Sequence, residues 1–238
     1  MKFLSSVLYF VLLFLFHHQS FAKENLVTNS AVFHSPPDWL NSGIAQSAID
    51  RIEQKLEWSV RKIQVYFYSD HKKLEAAFGY SAPTILAFMK RSDQSIHLGP
   101  KLNAKNFKVI FGHELGHVII TQKYKNSIPG WIEEGLVNKI AGYTKIDYNF
   151  LKKFTPRGPV NQLTHPFDAK TLDEVNFKYQ AALASINMLE KKCPSFRELI
   201  NLSLKKNLET FIPTYCKIPD LNKAFWKWID DNATQKTL

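Results

Sequence analysis

The chain has 238 residues, 45% of them hydrophobic and 13% aromatic, which is enough to bury one sizeable core and too apolar for a disordered polypeptide. Its 31 basic and 21 acidic side chains leave a formal charge of +10, a surplus that suits an anionic envelope surface. The lysines are scattered and no RNA- or DNA-binding motif is present, so nucleic acid is not an expected partner.

The opening stretch, MKFLSSVLYFVLLFLFHHQSFA, has Lys2 ahead of an apolar run from Phe3 to Phe16, with small Ser20 and Ala22 placed for cleavage after Ala22. It reads as a secretory signal peptide over residues 1–22. An uncleaved anchor is the alternative, although the run is short of the ~20 residues a spanning helix needs. The mature chain is then expected to be secreted or periplasmic, monomeric and without a membrane span. Residues 23–238 read as one domain, with an α/β lobe to about residue 143 and a helical lobe from about residue 160. The segment from Lys23 to Pro37 is either a short tail or a strip lying across the cleft.

Leu40, Ile44, Ala48, Ile52 and Leu56 recur at helical spacing after Pro36 and Pro37, predicting a first helix. KIQVYFYS alternates as a strand, and Ser69 or Asp70 can cap a short helix that Gly79 ends. TILAFMK and SIHLG, joined by the polar turn RSDQ, read as a hairpin. Asn103 or Asn106 then caps a helix to about Tyr124, NSIPG breaks it, and another helix runs from Gly130 or Trp131 to near Gly142. A proline-rich connector, TPRGPVNQLTHPFD, precedes helical patterns over Tyr179–Lys191, Ser195–Lys206 and Leu221–Asp231. The fold class is α+β: a small mixed sheet with helices, then a mostly helical lobe, with a cleft between them. Cys193 and Cys216 lack CxxC spacing for a zinc cluster, and in an exported chain one disulfide is plausible, two buried thiols being the alternative.

The stretch FGHELGHVIITQ places His113 and His117 four residues apart with Glu114 directly after the first. On a helix the two imidazoles share a face and can reach one cation, while Glu114, rotated by about 100°, suits contact with a water rather than with the metal. This is the HExxH arrangement of two zinc ligands and a general base. Apolar residues surround the helix, so the ionisable groups are buried and a bound Zn²⁺ offsets that burial. Gly112 and Gly116 form a second pair at the same spacing, which suggests a closely packed backbone beside them. A third ligand is available in WIEEGL, from Glu133 or Glu134. A helical wheel puts Glu133 nearer the centre of the apolar face formed by Ile132, Leu136, Val137 and Ile140.

HELGH followed by W-I-E-E-G-L resembles the gluzincin clan of zinc metallopeptidases, in which the glutamate before the glycine is the third ligand. The resemblance implies a zincin-like fold with one Zn²⁺ per chain held by His113, His117 and Glu134. It further implies a zinc-bound water activated by Glu114 for attack on a peptide or protein substrate. By the same likeness Asn138 stands where relatives carry an aspartate that orients the first histidine. Tyr179, opening the first helix after the connector, is the oxyanion donor, with Tyr143 and His165 behind it. SIHLG is then the edge strand for an extended substrate, with His97 a surface residue. The alternative is an inactive, zinc-stabilised binding protein of the same fold in the cell envelope.

Overall fold

The computed structural model describes residues 24–162, 169 and 171–233. The signal segment and His165 lie outside the described residues. Five strands, β1 (Leu26–Val27), β2 (Ala31–His34), β3 (Ile63–Phe67), β4 (Ala87–Lys90) and β5 (Ser95–Leu98), form one sheet in the order β1-β2-β3-β5-β4. β2, β3 and β5 run parallel, while β1 and β4 pair antiparallel at the two edges. Helix α1 (Ser42–Glu53) connects β2 to β3, and α2 (His71–Phe78) follows β3, capped by the Asp70 side chain and ended by left-handed Gly79. The stretch after Lys23 is therefore neither a tail nor a strip across the cleft. Ala31 and Phe33 of β2 are fully buried, because β2 supplies the partner that β3 needs on its far side.

Alternation along the strands divides the sheet into two faces. Phe33, Val65, Ile96 and Leu98 enter the main core, against which α3 (Phe107–Tyr124) packs. The rings of Phe33 and Phe111 lie 5.4 Å apart across that contact. The opposite face carries a row of rings, His34, Tyr66, His97 and Phe88, one from each of β2, β3, β5 and β4, with successive centroids 4.7, 5.3 and 4.6 Å apart. α2 covers its β4 end through Leu74, Ile85 and Phe88.

β5 lies between β3 and β4, so SIHLG is an interior strand and β4 is the edge. His97 is correspondingly buried, at 6% exposure, rather than a surface residue. The hydroxyl of Ser95 donates to Asp93 and so accepts from His97 Nε2 at 2.8 Å, which leaves Nδ1 to accept from the Tyr68 hydroxyl at 2.8 Å. A second proton would have to displace the Tyr68 bond. Burial lowers the His97 pKa to about 4; Asp93 opposes the shift and Lys90 adds to it.

Beyond α3 the elements among the described residues are helices: α4 (Gly130–Ala141), α5 (Tyr148–Lys153), α6 (Leu172–Lys192), α7 (Phe196–Leu202), the single turn α8 (Ile212–Tyr215) and α9 (Leu221–Ala233). α4 packs between α3 and α6, and one core runs from Ala31 to Ile229. α6 starts at Leu172, so Tyr179 lies two turns inside the helix rather than at its opening. Thr171 caps it, its hydroxyl accepting from the Glu174 N–H at 3.1 Å. Cys193 and Cys216 are joined in a disulfide. Among the described residues no helix is long and apolar enough to cross a membrane.

The glycines show how closely these helices approach. A methyl group on Gly112 would meet the flexible end of Ile52 at 3.0 Å, and one on Gly116 would meet Val137 at 2.8 Å, so side chains rather than backbone fill those places. The close backbone contact is at Gly135, where an added methyl would lie 2.2 Å from the carbonyl oxygen of Ala182 on α6. Gly135→Ala is therefore expected to push α4 and α6 apart and destabilise the fold by about 1–3 kcal/mol. Gly112→Ala, where better helix propensity offsets a yielding contact, stays within about 1 kcal/mol of wild type. Urea unfolding midpoints check this, and equal shifts for the two variants would contradict it.

His97 supplies a pH prediction. Its folded pKa of about 4 lies below the ordinary histidine value, so between pH ~6.5 and ~4 the unfolded chain holds the extra proton and stability falls with decreasing pH. The contribution lost is roughly 2–3 kcal/mol. Stability curves at pH 7 and pH 4 for wild type and His97→Gln test this, the variant losing less on acidification.

Candidate metal centre

α3 is buried along almost its whole length, from Ile110 to Ile120, because its sequence is apolar on every side and the sheet, α1 and α4 all pack on it. Its ionisable side chains are consequently held inside the protein, with His113, Glu114 and His117 at 9%, 8% and 5% exposure. One helical turn separates the two imidazoles, which meet edge to face with their Nε2 atoms 3.1 Å apart. Glu134 reaches them from α4, with Oε2 3.7 Å from His113 Nε2 and Oε1 3.4 Å from His117 Nε2.

Ligand atoms bound at about 2.0–2.1 Å around a tetrahedral ion lie about 3.3 Å from one another. The three separations here bracket that spacing. His113, His117 and Glu134 thus form a buried group that could hold a metal ion, and its donor set of two imidazoles and one carboxylate suits a borderline divalent cation.

Glu133, one residue earlier, faces the other side of the same ring. His117 Nδ1 donates to Glu133 Oε1 at 2.6 Å, which fixes the tautomer and leaves the Nε2 lone pair on the side of His113 and Glu134. Arg91, in the turn after β4, places Nη2 2.9 Å from both Glu133 oxygens. Burial raises the Glu133 carboxyl, but the His117 bond and charge, together with Arg91, hold it below the ordinary carboxylate range. Burial likewise lowers His117, and Glu134 with Glu133 more than reverses this, taking it well above the ordinary histidine value in the metal-free protein.

The helical wheel favours Glu133, but it is Glu134 that faces both Nε2 atoms; the wheel misleads because α4 has no solvent face at this level, and both glutamates are 3% exposed. The role of Glu133 was not read from the sequence, where the one available signal was a second acid in an apolar segment. Arg91, in a turn of ordinary polar composition, gave no signal.

Two members of the group, His113 and His117, line a cavity of about 590 Å³ to which β4, α3, α4 and α6 contribute. Glu114, Asn138, Tyr143 and Tyr179 also line it. The Tyr143 and Tyr179 rings stand edge-on to His113, with centroids 6.2 and 6.3 Å away. Asn138 is buried, and its backbone carbonyl accepts from the Gly142 and Tyr143 N–H groups, turning the chain so that Tyr143 comes over the site. Burial, then Glu134, Glu114 and Tyr143, raises the Tyr179 pKa well above its ordinary value; burial and Glu114 raise Tyr143. Both phenols are therefore protonated hydrogen-bond donors at neutral pH.

Comparison of the chain with models of protein families and with curated proteins finds no match.

Proposed function

We propose that the protein is a zinc-dependent metallopeptidase of the gluzincin type, with a zincin-like fold, acting outside the cytosol. The observation that carries this reading is the convergence of His113, His117 and Glu134 beside a cavity that the two histidines line together with Glu114, which stands outside the ligand set. When bound, zinc supplies a Lewis acid that polarises the scissile carbonyl and makes water nucleophilic near neutral pH.

The remaining chemistry belongs to the chain. Glu114 accepts a proton from the attacking water and passes it to the leaving amine. Tyr179, held as a neutral phenol, donates to the oxygen that becomes negative in the tetrahedral intermediate, with Tyr143 as the second donor on that side of His113. An extended peptide substrate lies along β4, whose outer edge is unpaired within the sheet and whose residues Ala87, Phe88 and Met89 line the cavity. The Cys193–Cys216 disulfide and the signal-like first 22 residues support an extracytoplasmic, oxidising location. The charge of +10 suits an anionic envelope surface.

The test is mass-spectrometric cleavage profiling of a mixed peptide library by the zinc-loaded chain, beside Glu114→Gln. Cleavage by the wild type that drops at least ~10²-fold in the variant, at equal zinc content, is the expected result. A fully metallated wild type that cuts nothing would instead indicate a zinc-stabilised binding protein of the cell envelope.

A further inference from the structure

Glu133 is an acid with almost no solvent contact, placed next in sequence to another buried acid, Glu134. Burying a carboxylate is costly unless charge and hydrogen bonds compensate it. One partner is the His117 Nδ1–H, and the other is the guanidinium of Arg91. Arg91 does not belong to either helix of the metal centre. It comes from the turn at the end of β4, lines the cavity, and is itself half exposed. Its second nitrogen, Nη1, lies 3.4 Å from the Thr121 hydroxyl on α3, one turn beyond His117. A single side chain therefore bridges β4, α3 and α4 beside the proposed zinc ligands.

We infer that Arg91 is a positioning residue of the metal centre, holding Glu133 against His117 so that the His117 Nε2 stays aimed at the ion. The inference rests on the metal-binding part of the proposed function and adds a residue that HExxH and WIEEG do not contain. Without Arg91 the Glu133 carboxylate loses the cation that keeps it inside. It turns toward the solvent path the guanidinium occupied, and His117 Nδ1 loses the acceptor that fixes its ring. Such outer partners commonly govern metal affinity by roughly 10–100-fold. Because β4 is also, among the described residues, an edge of the sheet and lies along the cavity, whatever displaces that edge also moves the clamp on His117.

Zinc affinity of the full chain, measured by competition with a chromogenic chelator, tests the inference with Arg91→Ala, Glu133→Gln and the double variant. Arg91→Ala is expected to weaken zinc binding at least about tenfold. The double variant is expected to bind no more weakly than Glu133→Gln, since Arg91 acts through Glu133. Lys90→Ala, which removes the neighbouring cation at the end of β4, leaves the affinity unchanged. The d–d absorption of the cobalt-loaded protein should shift alike in Arg91→Ala and Glu133→Gln but not in Lys90→Ala, which an arginine acting on stability alone would not produce. Wild-type affinity in Arg91→Ala, or losses that add in the double variant, would overturn the inference alone. A wild-type chain that takes up no zinc would overturn the proposed function with it.

Discussion

Five ionisable side chains, His113, Glu114, His117, Glu133 and Glu134, meet where α3 packs on α4, each less than 10% exposed. Charge of that density is stable inside a protein only if every group has a partner held in place by the surrounding packing. His117 shows the principle most clearly. Its Nδ1 is engaged by Glu133 and its Nε2 faces both His113 and Glu134, so each side of one ring has a separate carboxylate. Two adjacent glutamates can do this because successive helical residues point about 100° apart.

The packing that keeps the two helices together uses the motif residues that do no chemistry. Trp131, 2% exposed, anchors the start of α4 through a 2.6 Å bond from its indole N–H to Glu209. Gly116 makes room for Val137, and Gly135 lets the backbone of α6 approach α4 more closely than any side chain would allow. The glycine after Glu134 is thus a packing residue whose neighbour belongs to the candidate metal group, and the same contact brings Tyr179 of α6 to the cavity. The sheet acts from the other side, fixing α3 through Phe33 and Phe111 and presenting Arg91 at the end of its edge strand.

Much of this was legible before any coordinates. HExxH spacing and the Asp70 and Gly79 boundaries of α2 follow from local rules of capping and periodicity, and α3 and α4 span the expected residues, although Asn106 makes no side-chain capping bond at the start of α3. The start of α6 carries a local signal of its own, since Thr171 followed by Glu174 has the spacing of a capping box. Strand order was not legible, because a hairpin pattern does not say which of its strands turns outward; β5 became interior by pairing with β3. β2 was missed because its four residues hold only two buried positions, too few for a periodic signal. Arg91 and Glu133 illustrate a different limit: their roles arise from contacts 42 residues apart in sequence, which neither periodicity nor motif spacing encodes.

X-ray absorption at the zinc edge of the purified, zinc-loaded chain tests directly whether His113, His117 and Glu134 hold the ion. One zinc per chain, with nitrogen and oxygen neighbours at about 2.0–2.1 Å, the outer-shell scattering of two imidazoles and no sulfur, is the expected result. A chain that binds no zinc, or a spectrum that lacks the two imidazoles, would contradict it.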